Sequence, residues 1–114
     1  MNDYIDLGRI GELEDVMGAD AVAIVSSMLE NMTAAIDELE AAMAAGDPAR
    51  AAHAAHRCRN DALMLGARQL LDALTELEAA TRDADESGAG AALARVRQVW
   101  PPTRDELVAG SNPP

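Results

Sequence analysis

The chain has 114 residues, which fits one domain with one modest core, and its 20 acidic residues against nine basic ones give a formal net charge of −11. That charge argues against nucleic acid as a partner, because most of the surface would repel it. The single cysteine excludes an intrachain disulfide, and no stretch approaches a membrane span, so we expect a cytoplasmic protein without membrane association.

Apolar residues recur at helical spacing, and nothing alternates with the period of two that is typical of strands. Phenylalanine is absent and alanine is abundant, which favours closely packed helices. Composition and periodicity therefore predict an all-α protein.

The first segment, residues 5–17, is short and amphipathic, and Gly18 ends it. Gly8 and Gly11 weaken its helix propensity, so we expect its first half to be irregular. We expect the whole segment to cover one end of a helical bundle.

The second segment keeps one apolar stripe with heptad spacing from Ala21 to Ala42, which predicts a helix over about residues 20–45. Asp20 is placed to cap its N-terminus. Three of the six methionines fall on this helix, and we interpret them as flexible core residues.

Gly46 ends the second helix, and Asp47-Pro48 combines a capping carboxylate with a proline at the first helical position. A third helix is predicted from there to about Leu65. Gly66 supplies the left-handed conformation that ends a helix, and a fourth helix follows over about residues 67–85.

Residues 83–90 predict a turn, and the last helix is marked by apolar residues between Ala92 and Trp100. Pro101-Pro102 is expected to end or kink that helix, and residues 103–106 match a capping box that predicts one new short turn. Together the segments predict an up-down-up-down four-helix bundle with a short N-terminal helix. We expect one domain over residues 1–110 and a disordered tail at 111–114.

Positive charge is concentrated in one part of the chain. Residues 1–47 carry eleven acids and one base, residues 48–70 one acid and four bases, and residues 71–114 eight acids and four bases. The net charges are therefore −10, +3 and −4. A basic face on an acidic molecule attracts a small anion or an acidic partner surface.

His56 lies in this basic stretch, one residue past the apolar stripe of the third helix, so we expect it at the surface. Arg59 and Asn60 flank the imidazole, and His53 lies within a turn of it. Leu63, further along that face, is interpreted either as the start of a docking surface or as a stripe-edge residue half covered by a neighbour. A lone surface histidine is usually only solvated, and it is the basic surroundings that favour a functional role.

Two other kinds of site find little support in the sequence. His53 and His56 can share a cation, but Cys58 is predicted to face inward and no acid is near, so we predict no metal site. No motif supplies the second titratable partner of a hydrolase, and there is no glycine-rich phosphate loop.

The stretch from Ala55 to Glu78 resembles the histidine-containing phosphotransfer (HPt) domain family of two-component phosphorelays. The family pattern joins Ala-His, an apolar residue, Lys-Gly, Leu-Gly-Ala and the leucines of the next helix, and here the spacing agrees without a gap. The residues that carry the resemblance are Ala55-His56, Cys58, Arg59-Asn60, Leu65-Gly66-Ala67, Leu70, Leu74 and Leu77-Glu78.

The resemblance implies that His56 is the phosphoacceptor, through Nε2, beside phosphoryl-stabilising Arg57, Arg59 and Asn60. From the exposed face itself we predict docking of partners near His53 and Leu63. The implied partners are receiver domains of response regulators and a hybrid histidine kinase, and the receiver supplies Mg²⁺. The protein itself is then a monomeric phosphocarrier with no cofactor and no ATP site of its own, and not an enzyme.

Two positions depart from the family pattern. Arg59 replaces the usual lysine and keeps its positive charge in a planar fork. Asn60 replaces the usual glycine, and it can either hydrogen-bond the imidazole or phosphoryl group or hinder the approach of a receiver. Two functions therefore stay open: a phosphocarrier between receivers, or an HPt-like interaction module that regulates a response regulator or kinase without being phosphorylated.

Overall fold

The computed structural model describes residues 4–111, with all their side chains except those of residues 7, 110 and 111. Its helices are α1 (Leu7–Met17), α2 (Ala21–Ala44), α3 (Pro48–Met64), α4 (Arg68–Arg82) and α5 (Glu86–Ser111), with a 3₁₀ turn at Gly18–Asp20. No strand occurs between residues 4 and 111. Helices α2 to α5 pack in chain order, and α5 closes against α2, so the predicted four-helix bundle with a short N-terminal helix is confirmed.

The core of the bundle is built from the apolar stripes that the sequence predicts. Its largest fully buried side chains are Val25, Met32, Leu39, Leu65, Leu70, Leu74, Leu77, Val96 and Leu107. Alanines and Cys58 form the buried face of α3, and such small side chains let α2 and α4 approach it closely. Burial, together with the charge of Asp61, raises the pKa of Cys58 to about 12, so its thiol is inert at neutral pH.

Helix α1 covers one end of the bundle, as predicted. The Asp6 carboxylate caps it by accepting a hydrogen bond from the backbone N–H of Gly8 at 2.9 Å. The predicted irregular first half is wrong beyond Asp6, because this cap offsets the poor helix propensity of Gly8 and Gly11. The Asp6 backbone N–H donates to the carbonyl of Leu65 at 3.4 Å, which fixes α1 against the turn between α3 and α4.

The prediction that Asp20 caps α2 is wrong. Asp20 closes a 3₁₀ turn in helical backbone conformation, and its side chain accepts no capping hydrogen bond. A capping residue needs extended backbone, and the chain enters α2 from a turn that is already helical. Gly18, with φ of 60°, separates this turn from α1.

The turn between α4 and α5 is shorter than the predicted 83–90. Asp85 accepts a hydrogen bond from the backbone N–H of Gly88 at 2.9 Å and caps α5, which begins at Glu86. Gly88 and Gly90 therefore belong to the helix, because a capping carboxylate outweighs their low helix propensity.

Pro101 and Pro102 lie inside α5, so the expectation that they end the helix is wrong, and the expected kink stays a prediction. Burial beyond the prolines and a hydrogen bond across them hold the helix. The buried Thr103 hydroxyl donates to the carbonyl of Val99 at 2.6 Å, and Leu107 is fully buried in the core.

The predicted capping box at residues 103–106 is also wrong, since no new helix begins there. The Glu106 carboxylate instead accepts hydrogen bonds from the backbone N–H groups of Tyr4 at 3.2 Å and Ile5 at 3.4 Å. It thereby ties the N-terminal segment to α5.

Helix α5 extends to Ser111, and the rest of the predicted tail, residues 112–114, lies outside the described residues. None of the helices between residues 4 and 111 combines the length and the apolar character that crossing a membrane requires.

Candidate functional site

Local signals in α3 place His56 on an exposed face of the bundle. The Asp47 carboxylate accepts a hydrogen bond from the backbone N–H of Arg50 at 3.1 Å and starts the helix, and Gly66, with φ of 66°, reverses the chain after it. Ala55 and Cys58 are buried on the inner face, which sets the rotation of the helix. The His56 side chain is 57% exposed, as predicted.

Glu78 of α4 lies beside His56 and gathers positive charge around one carboxylate. It is buried, with 7% of its surface exposed. Its Oε1 lies 3.4 Å from His56 Nδ1 and 2.8 Å from Arg82 Nη2, while Oε2 accepts a hydrogen bond from Arg59. Glu78 therefore links α3 to α4 directly beneath the exposed imidazole.

These contacts decide the charge state of Glu78. Burial on its own would raise the pKa of Glu78, but the hydrogen bond from Arg59 and the charges of Arg59 and Arg82 outweigh burial and lower it. Glu78 is therefore an ionised acceptor at neutral pH.

An ionised Glu78 selects which nitrogen of His56 can react. A carboxylate only accepts hydrogen bonds, so it favours the neutral tautomer that carries the proton on Nδ1. Nε2 then holds the lone pair, on the side of the ring away from Glu78. In this tautomer Nε2 is a nitrogen nucleophile that needs no separate base.

The predicted phosphoryl-stabilising residues around His56 differ in their exposure and in their ion pairing. Arg57 and Asn60 are exposed on α3, next to His56 and one turn beyond it. Arg59 is partly covered and paired with Glu78, and its Nε is buried without a hydrogen-bond partner among the described residues. The charge of Arg59 is thus already compensated, whereas that of Arg57 faces solvent.

The two predicted docking residues lie on opposite sides of His56. His53 is exposed in a groove of about 560 Å³ between α2 and α3, where Arg50 pairs with Glu38 at 2.7 Å. Leu63 is 57% exposed, so it is a solvent-facing apolar residue and not a half-covered stripe edge. Between residues 4 and 111, no three His, Cys, Asp or Glu side chains are grouped to hold a metal ion.

Sequence reasoning gave no role to Glu78 or Arg82. Glu78 appeared only as part of the family pattern, although it follows Leu77 at the edge of an apolar stripe. Arg82 stands four residues after Glu78, a spacing that predicts a helical ion pair. The contact of both with the His56 region requires the packing of α4 against α3.

Changing Glu78 to glutamine is expected to lower the free energy of unfolding by about 2 kcal/mol at neutral pH, because partly covered Arg59 loses its counter-charge. The pKa of Glu78 is lowered by folding, so its stabilisation is complete above the ordinary carboxyl pKa. It is lost as the pH falls through the lowered value, and the two proteins converge in acid. Urea unfolding at several pH values between about 3 and 7 measures both effects.

Glu76→Gln is the control for this prediction. Glu76 lies on the same helix and pairs with Arg95 at 2.6 Å, but its side chain is 57% exposed. The expected loss is below about 1 kcal/mol. If Glu78→Gln and Glu76→Gln lose equal free energy of unfolding, then burial of Glu78 does not strengthen its ion pairs.

Comparison with known proteins identifies the family of the chain. A model of the Hpt domain family matches residues 23–105. The fold is similar to that of histidine-containing phosphotransfer protein B (HptB) from Pseudomonas aeruginosa PAO1, with a TM-score of 0.89 and 21% identity over 97% of this chain and 96% of that chain. No curated protein gives a significant match. Because the family match spans most of the chain and includes the helices that carry His56 and Glu78, the chain belongs to the Hpt domain family.

Proposed function

We propose that the protein is a phosphocarrier of a two-component phosphorelay. In this proposal His56 accepts a phosphoryl group from the phosphoaspartate of a receiver domain and passes it to another receiver. The observation that carries the proposal is the exposed imidazole of His56, whose Nδ1 faces the ionised Glu78 and whose Nε2 is left as the nucleophile. Family membership supports the same role in phosphorelay signalling.

The proposed step is an in-line exchange of one bond for another. The Nε2 lone pair of His56 forms a bond to phosphorus, the bond between phosphorus and the aspartyl oxygen breaks, and the aspartate leaves as a carboxylate. The Nδ1 proton stays in place, and Glu78 offsets the positive charge that the ring acquires. Mg²⁺ and most of the positioning come from the receiver, so the protein needs no cofactor or ATP site of its own.

The surroundings of His56 support a division of roles. The phosphoryl group brings two negative charges, and of the three predicted residues on α3 the exposed Arg57 and Asn60 contact it, whereas Arg59 stays paired with Glu78 and contributes its charge from beside the site. His53 on one side and Leu63 on the other fit the docking surface of a receiver or of a hybrid histidine kinase. We expect the protein to act as a monomer.

The test is transfer of labelled phosphate from a panel of phosphorylated receiver domains. A phosphocarrier takes up label that is labile in acid and stable in alkali, as a phosphohistidine is, and peptide mapping places it on His56. Failure of every receiver to transfer label, with the protein folded, would overturn the proposal. The receivers that donate would identify the partners.

The alternative function, an interaction module that binds receivers without turnover, is favoured by one observation. Asn60 is exposed one turn from His56, on the face that a receiver must approach. A phosphocarrier is expected to take up label in both the wild type and Asn60→Gly. If the protein is an interaction module, the wild type is expected to bind receivers without taking up label. Only the Asn60→Gly variant is then expected to take up label. The substitution costs about 1 kcal/mol of stability, because glycine is a poor helix former, and circular dichroism checks the fold.

A further inference from the structure

Arg82 lies in the last turn of α4, within reach of His56. Its Nη2 is 2.8 Å from the same Glu78 oxygen that lies 3.4 Å from His56 Nδ1. Since the two contacts meet at one atom, the guanidinium and the imidazole nitrogen are at most about 6 Å apart, close enough for charges to influence each other.

The two arginines that share Glu78 differ in their freedom to move. Arg59 has a side chain that is 33% exposed and an Nε that is buried. The Arg82 side chain is 69% exposed, and it is held by a helical pair of the i,i+4 type. Arg59 stays on the buried Glu78 carboxylate, so Arg82 can leave it without stranding an unpaired buried charge.

We propose that Arg82 turns from Glu78 to the phosphoryl group when His56 is phosphorylated, and so acts as a phosphoryl-stabilising residue; this rests on the proposed function. Before phosphorylation, Arg59 and Arg82 together exceed the charge of Glu78 by one. The phosphoryl group brings two negative charges to Nε2, whereas Glu78 carries one negative charge that Arg82 shares with Arg59. Arg59 keeps Glu78 compensated, and Glu78 stays available to Nδ1.

Phosphoramidate, a chemical phosphoryl donor, allows a test without any receiver. The Nε2 lone pair of His56 forms a bond to phosphorus, the phosphorus–nitrogen bond of phosphoramidate breaks, and the nitrogen, which is already protonated in phosphoramidate, leaves as ammonia. The phosphorylated protein is then followed by ³¹P NMR between about pH 5 and 9, where a protein-bound phosphoryl group loses its second proton.

Arg82→Gln is expected to move the midpoint of the ³¹P titration upward by about half a pH unit, because a nearby cation favours the doubly charged phosphoryl group. Arg82→Lys, which retains the charge, should keep most of the wild-type midpoint. Arg97→Gln is the control, since Arg97 pairs with Glu40 across α2 and α5, on the opposite side of the bundle from α3 and α4. The midpoint of the ³¹P titration in Arg97→Gln should equal that of the wild type.

A midpoint that does not move in Arg82→Gln, together with a lower melting temperature, would overturn the inference and leave Arg82 as a structural partner of Glu78. The same conclusion follows if Arg97→Gln moves the midpoint as far as Arg82→Gln, because the effect would then be one of net charge. These results leave the proposed function intact. Failure of wild-type His56 to take up phosphate from both phosphoramidate and receivers would overturn the proposed function and this inference with it.

Discussion

Replacing His56 with glutamine is expected to abolish the uptake of labelled phosphate from every receiver that phosphorylates the wild type. Glutamine has no nucleophilic nitrogen, and the neighbouring arginines carry protonated groups that cannot take its place. Because the His56 side chain is 57% exposed and makes one contact with Glu78, the change in stability should stay below about 1 kcal/mol. Scintillation counting of the separated protein, with circular dichroism as the check on folding, measures both expectations.

His53→Gln is the matched control for this substitution. His53 lies one turn earlier on α3, is also exposed, and lies in the groove beside Arg50 and Arg57 without contacting Glu78. The His53→Gln variant should still take up acid-labile label on His56. Any change should appear in the concentration of receiver needed for transfer, because we place His53 at the docking surface. Label that persists on His56→Gln and disappears from His53→Gln would reverse the assignment of the phosphoacceptor.

Gly66→Ala is expected to be the most destabilising single change among those considered, lowering the free energy of unfolding by about 3 kcal/mol. Gly66 has φ of 66°, where a side chain costs roughly 1–2 kcal/mol. A Cβ at this position would also lie 2.5 Å from the Cβ of Asp6, so the segment that leads into α1 must shift. Urea unfolding monitored by the fluorescence of Trp100 gives the free energy.

Gly46→Ala separates the two causes of that loss. Gly46 has φ of 67°, nearly the same backbone conformation, but no atom lies within 4 Å of the position that its Cβ would take. Its expected loss is about 1 kcal/mol, the conformational part alone. If Gly46→Ala and Gly66→Ala lose equal free energy of unfolding, then the close packing of the N-terminal segment on the turn after α3 contributes nothing to the loss in Gly66→Ala.

Most of the fold follows from signals that lie within one helix or one turn. The Asp47-Pro48 start of α3, the glycines after α2 and α3, and the stripes of α2 and α4 depend on the backbone and on nearby residues. Each was predicted within two or three positions. The exposure of His56 belongs to the same class, because the period of a helix fixes which side chains share the buried face, whereas the exposure of Leu63 stayed open until the structure gave it.

The errors near the C-terminal end of the chain have a different physical origin. Pro101-Pro102 reads locally as the end of a helix, yet α5 continues because Thr103 and Leu107 are buried in the core. Glu106 reads locally as part of a capping box, yet its carboxylate binds the backbone of Tyr4, 102 positions away. Contacts over that distance in sequence leave no local pattern, and they outweigh propensities of a few kcal/mol.

The candidate site also has one part that local sequence predicts and one part that depends on tertiary packing. The sequence by itself determined that α3 presents His56 with Arg59 and Asn60 one turn further along, since residues three and four positions apart are neighbours on a helix surface. Only the tertiary structure decided that Glu78, 19 positions after Arg59, joins Arg59, Arg82 and His56 at one carboxylate. The physical reason is that this carboxylate acquires its partners and its lowered pKa from the packing of α4 against α3, which no single helix contains.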